Sequence, residues 1–257
     1  MRGKTILAVG GIVLVLGACS TGGQVTVGPP ADPPTTETQE GSTPPVASTI
    51  PLAALPEQVA WAACPDSDDY DVKGWECGTI EVPLDYDQPQ SQTITIALTR
   101  APATDKATRI GSLVVNPGGP GGSGIEAAHF LVDELPPNLK ARFDLVGFDP
   151  RGVGDSTAVD CIGDGAKDAE ADLDPTPDTE AEITAIVDQV GASAQACADA
   201  QGDLLPHVGT MNSARDLDRI REAVGDERLS YLGFSYGTSL GATYANLFPD
   251  KVRALVL

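Results

Sequence analysis

Gly233-Phe234-Ser235-Tyr236-Gly237 follows the apolar run Leu229-Ser230-Tyr231-Leu232 and precedes an apolar-periodic stretch over 238–248. The pattern G-x-S-x-G is common by itself. Between a buried strand and a helix it has one physical reading. The chain turns from strand to helix so sharply that side chains flanking the serine would collide, hence glycine on both sides. Such a turn lifts the serine hydroxyl to the end of the sheet. It also sets the positive end of a helix behind the hydroxyl, where negative charge is stabilised. Ser235 is therefore the expected catalytic nucleophile.

Working outward, short apolar runs alternate with helical patterns. Strands are expected over 112–115, 143–148, 229–234 and 252–257, and helices over 125–134, 213–224 and 238–248. In the second helix Leu217, Ile220 and Val224 share one face, and Gly225 marks its stop. Strands alternating with helices imply an α/β fold: a mainly parallel sheet with helices on both faces. Upstream, residues 78–84 and 93–98 alternate polar and apolar side chains. They are expected to form an antiparallel hairpin at the sheet edge. Residues 164–203 break the rhythm. They are acidic, with Lys167 the only basic side chain, and contain a loop at 174–178 and a helix over 184–200.

A second stretch carries chemistry: Asn116-Pro117-Gly118-Gly119-Pro120-Gly121-Gly122-Ser123-Gly124, after the strand expected to lie beside the nucleophile strand. Acyl transfer passes through a tetrahedral oxyanion that needs preorganised N–H donors. The N–H of Tyr236 is one expected donor. Gly118 or Gly119 is the other, since glycine lets a backbone approach a substrate closely. No Lys-Ser/Thr pair follows, so a phosphate-binding loop is disfavoured. A third stretch, Asp149-Pro150-Arg151-Gly152-Val153-Gly154-Asp155-Ser156, ends a buried strand and turns the chain. Arg151 is expected to play a structural part, bonding backbone or carboxylate groups nearby.

The N-terminus speaks to compartment. Arg2 and Lys4 precede an apolar run from Ile6 to Leu16, too short to span a bilayer comfortably. It ends Leu16-Gly17-Ala18-Cys19, which resembles a bacterial lipobox. Residues 1–18 are read as a signal peptide and Cys19 as the lipid-bearing first residue of an exported protein on the outer face of the cell membrane. Residues 20–58 are rich in Pro, Thr, Gly and Ser and cannot bury enough apolar surface to fold. With Cys19 they form a tether, and the folded domain spans 59–257. The remaining cysteines, Cys64, Cys77, Cys161 and Cys197, allow three pairings. Loop-closure entropy favours near neighbours, Cys64–Cys77 and Cys161–Cys197. The second pair brackets the acidic excursion 161–203.

The formal net charge of −21 disfavours a nucleic-acid partner. No cysteine pair has zinc-finger spacing, and the two histidines are isolated, so neither metal nor cofactor is expected.

The ordered set N-P-G-G-P-G-G-S-G, G-F-D-P-R-G-V-G-D-S and G-F-S-Y-G-T-S-L-G resembles the actinobacterial secreted tripeptidyl aminopeptidases. Ala214-Arg215-Asp216-Leu217-Asp218 and Tyr244-Ala245-Asn246-Leu247-Phe248-Pro249 extend the resemblance, which covers roughly 61–257. These are α/β-hydrolases related to the proline iminopeptidases. The resemblance implies a metal-free Ser–Asp–His enzyme that removes short peptides from peptide N-termini. It matches the family's glycine loop to Gly118–Gly122 and its elbow to Ser235 and Tyr236.

The departure concerns the triad. In this fold the acid and the histidine follow the serine. Of the 22 residues after Ser235 none is histidine, and Asp250 stands too soon after the elbow helix. His129 and His207 precede the serine and are read as loop or surface histidines. The chain is thus expected to be the N-terminal part of a longer protein, lacking later strands and lid, and inactive alone. A peptide or small ester is the expected substrate. An esterase or lipase on the same scaffold, and a non-catalytic surface lipoprotein, remain the alternatives. Oligomeric state is left open.

Overall fold

In a computed structural model the protein is described over residues 58–90 and 92–257. The signal peptide, Cys19 and nearly all of the tether lie outside the described residues.

The strands are β1 (Ala62–Ala63), β2 (Glu76–Pro83), β3 (Thr93–Ala101), β4 (Gly111–Asn116), β5 (Phe143–Phe148), β6 (Leu229–Gly233) and β7 (Val252–Val256). The helices are α1 (Gly124–Glu134), α2 (Pro137–Arg142), α3 (Asp164–Ala171), α4 (Glu180–Gln201), α5 (Thr210–Ala223) and α6 (Tyr236–Leu247). The sheet has seven strands in the order β1-β2-β3-β5-β4-β6-β7. β5, β4, β6 and β7 pair in parallel, and β1, β2 and β3 continue the sheet antiparallel. The expected hairpin is β2–β3, in register from Glu76↔Arg100 to Pro83↔Thr93. β4 sits between β5 and β6, so the strand leading to the glycine loop lies directly beside the one leading to Ser235.

Neighbouring residues of a strand face opposite sides of a sheet. Val114 and Val146 pack on one side with Leu217 and Ile220 of α5 and Leu240 and Tyr244 of α6. Val115 and Leu145 pack on the other with Ala128 of α1 and Trp75. Both faces are covered, which is why the central strands read as unbroken apolar runs.

Several helices start earlier than their periodicity indicates, and each for a local reason. α4 begins at Glu180 because Thr179 and Glu182 form a reciprocal capping box. α6 begins at Tyr236, immediately after the elbow. α5 begins at Thr210, ahead of its first buried residue Ser213. α2, with proline in its first turn, has too few apolar residues for periodicity to reveal it. The structure joins Cys64 to Cys77 and Cys161 to Cys197. α3 and α4 have no buried residue. Among the described residues no helix is long and apolar enough to cross a membrane.

Candidate active site

Ser235 caps α6 with φ 50° and ψ −122°, the one non-glycine residue with positive φ among those described. Side-chain-bearing residues adopt that region only under constraint. Here the constraint is visible on both sides. Phe234 N–H donates to the carbonyl of Asn116 at 3.0 Å, and Gly237 N–H donates to the carbonyl of Phe234 at 2.7 Å. The Thr238 hydroxyl donates to the carbonyl of Ser235 at 2.7 Å. A Cβ on Gly237 would stand 2.6 Å from the carbonyl oxygen of Asn116, so only glycine permits this approach. The serine itself is exposed, at the end of β6.

The glycine loop lies against the elbow. A Cβ on Gly118 would fall 2.4 Å from the Phe234 carbonyl oxygen, 2.8 Å from the Tyr236 nitrogen and 3.0 Å from Ser235 Cβ. Gly118 also has φ 92°. The two expected donor segments therefore meet beside Ser235. The choice left open by the sequence between Gly118 and Gly119 is narrowed by one bond. The Gly118 N–H already donates to Asn116 Oδ1 at 3.0 Å. The Gly119 N–H donates to no protein acceptor among the described residues. A donor already engaged cannot turn to a developing oxyanion without breaking its bond, so Gly119 is the better placed of the pair.

Two residues that sequence reasoning passed over organise this corner. Asn116 closes β4 and bonds both the elbow and the loop. Its bond to the N–H two residues on is the asparagine turn that Asn-Pro-Gly announces. Asp149, buried at the end of β5, accepts from the Ser123 hydroxyl at 2.6 Å and the Ile125 N–H at 3.3 Å. Its other oxygen accepts from the Asp155 N–H at 2.8 Å. It thus holds the start of α1 against the turn after β5.

Arg151 has the structural place expected of it, and the detail explains the neighbouring motif. Its fully enclosed guanidinium forks onto Asp216 of α5, with Nε–Oδ2 at 2.7 Å and Nη2–Oδ1 at 2.6 Å. The remaining N–H groups donate to the carbonyls of Pro83, Leu84 and His207. The Tyr86 hydroxyl donates to Asp216 at 2.7 Å. Burial and the adjacent Asp216 charge push the Tyr86 phenol well up, so it stays protonated. Asp218, two residues on, accepts from Tyr244 of α6 at 2.9 Å and from Arg221 at 2.8 Å. The carboxylates of Asp216-Leu217-Asp218 thereby tie the turn after β5 and the elbow helix to α5.

The histidines stand elsewhere. His129 corrects its sequence reading: it is a buried residue of α1, not a loop or surface one. Its ring stacks on Tyr70 at 4.0 Å between centroids and packs at a tilt against Trp75 at 3.7 Å. Burial holds its pKa below the usual histidine value, against the pull of Asp71. His207 lies half-buried in the 3-10 turn before α5, its carbonyl accepting from Arg151 and Asn212. Neither imidazole hydrogen-bonds Ser235. Among the described residues no group of three or more histidine, cysteine or acidic side chains could hold a metal ion.

Comparison with known proteins agrees with this architecture. The chain is 48% identical over 212 residues to the serine protease Hip1 of Mycobacterium tuberculosis, covering 79% of this chain and 39% of that protein. It is 42% identical over 185 residues to the tripeptidyl aminopeptidase of Streptomyces lividans, covering 71% and 34% respectively. It is 39% identical over 242 residues to carboxylesterase B of M. tuberculosis, covering 92% and 45%. The chain thus spans less than half the length of each. The alpha/beta hydrolase fold family matches residues 111–257, from β4 through the elbow to β7. With more than half of its length inside that match, the chain belongs to the α/β-hydrolase family.

Proposed function

We propose that this chain is the nucleophile-bearing part of a serine peptidase that releases short peptides or single residues from peptide N-termini. The observation that carries the proposal is the strained, exposed Ser235 with the glycine loop packed against the Tyr236 nitrogen. In this reading Ser235 Oγ attacks the substrate carbonyl carbon while a histidine takes its proton. The carbonyl oxygen, now negative, is received by the N–H groups of Gly119 and Tyr236. Collapse of the intermediate expels the amine, which leaves with the proton held by the histidine. Water then hydrolyses the acyl-enzyme by the same route.

The histidine and its orienting carboxylate are proposed to come from sequence following Leu257. Two facts support this: no histidine follows Ser235, and the aminopeptidase and protease relatives are much longer than this chain. Export and anchoring through a lipid on Cys19 are proposed from the lipobox-like ending alone.

A second reading, an esterase on the same site, is favoured by the likeness to carboxylesterase B. One assay separates the two. The full-length gene product is given a short peptide with a free amino terminus, the same peptide N-acetylated, and a simple aryl ester of matched acyl size. An aminopeptidase cleaves the first and not the second. Turnover of the ester with neither peptide touched establishes the esterase and removes the peptidase reading.

A further inference from the structure

Beside the elbow a cavity of about 300 Å³ opens between three segments of chain. Pro120 comes from the glycine loop, Val153 and Val159 from the turn after β5, and Leu205 and Val208 from the approach to α5. Tyr236, the residue after the nucleophile, is part of the same wall. The volume is that of a small ligand pocket.

Its lining contains one charged residue, Arg151, which brings no free charge. All its donors are engaged by Asp216 and three carbonyls, and its side chain is fully enclosed. The Tyr236 hydroxyl shares a hydrogen bond of 2.6 Å with Thr210. What remains to meet a ligand is chiefly aliphatic. Val159 stands just before Cys161 and Leu205 soon after Cys197, so the disulfide fixes the two stems from which these walls grow. The walls converge over Gly152, where a Cβ would lie 3.2 Å from both Val159 and Val208.

We propose that this cavity is the subsite for the side chain of the substrate residue whose carbonyl Ser235 attacks, and that it selects uncharged apolar side chains. The inference rests on the reading of Ser235 as nucleophile and of Gly119 and Tyr236 as oxyanion donors. Tyr236 lines the cavity, and Gly119 directly precedes its lining residue Pro120, so a carbonyl oxygen held by their N–H groups leaves the side chain of the same residue beside it. A charged side chain would lose hydration there without gaining a partner.

The test uses the full-length protein and peptides identical except for Gly, Ala, Leu, Phe, Asp or Lys on the acyl side of the cleaved bond. Leu and Phe are expected to exceed Ala in kcat/KM by at least about tenfold, with Asp and Lys poorest. Val208→Trp and Val153→Trp each fill the space from a different side. Both are expected to lower kcat/KM for the Leu and Phe peptides by about tenfold or more relative to the Gly and Ala peptides, with labelling of Ser235 by a small ethyl fluorophosphonate reporting that the site is folded. Two variants guard against misfolding of either. Variants that still label but keep wild-type selectivity would overturn the subsite and leave the nucleophile standing. Failure of wild-type Ser235 to label would overturn both.

Discussion

Asn116 Oδ1 accepts the N–H of Gly118 at 3.0 Å, while the main-chain carbonyl of Asn116 accepts the N–H of Phe234 at the same distance. A single residue at the end of β4 therefore sets the spacing between the glycine loop and the elbow. Asn116→Ala keeps the main-chain bond and frees the loop. The expected result is a fall in kcat of about tenfold or more with little change in KM, short of the roughly 10²–10³ seen when an oxyanion donor itself is lost. Steady-state kinetics on the full-length protein checks this. A rise in KM alone would show that Asn116 serves binding and not the oxyanion geometry.

Arg151 and Asp216 form a fully buried, forked ion pair. Removing one member strands the other charge, which costs about 3–5 kcal/mol. Arg151→Met is expected to lower unfolding stability by that order in urea titration. The double variant Arg151→Met/Asp216→Leu is expected to lose less than the sum of the single losses, because no unpaired charge remains. Strict additivity would contradict the pairing.

Burial between Tyr70 and Trp75 depresses the pKa of His129 in the folded protein. The unfolded chain binds a proton near the ordinary value of 6.5. The stabilisation from a neutral His129 is therefore complete above that value and is lost as the pH falls through the lower folded pKa. His129→Phe keeps the ring stack without the proton. Its stability is expected to fall less than that of the parent between about pH 7 and about pH 5. Parallel denaturant midpoints at both pH values test it, and identical slopes would contradict it.

The Cys161–Cys197 bond closes an excursion of sequence separation 36. Loop-closure entropy alone assigns it about 4 kcal/mol if the excursion unfolds with the sheet. With no residue of α3 or α4 buried, the loss is expected to be local instead. Limited proteolysis of Cys161→Ser/Cys197→Ser should cut within 162–203, while the thermal midpoint of the remainder moves by less than about 3 °C. A large global shift would show that the excursion and the sheet unfold together.

The elbow was legible in the sequence because three signals coincided at Ser235: a buried strand, flanking glycines and a helical period. The β2–β3 hairpin was legible because one of its faces alternates. What escaped depends on contacts between distant segments. Nothing in the order of residues says that Asp149 reaches Ser123, or that Asp216 receives the guanidinium of Arg151, because those meetings follow from the sheet order. The choice between Gly118 and Gly119 does have a local signal: asparagine before Pro-Gly commonly bonds the second N–H ahead, which engages Gly118. The burial of His129 has no local signal, because the rings that enclose it, Tyr70 and Trp75, are more than fifty residues upstream.

Ser235 carries the proposed chemistry. The most direct measurement is fluorophosphonate labelling of the full-length protein, followed by peptide mapping of the modified residue by mass spectrometry. The phosphonyl group is expected on Ser235 alone, absent in Ser235→Ala, and slowed in Asn116→Ala. Labelling at another serine, or undiminished labelling of Ser235→Ala, would contradict the assignment of the nucleophile.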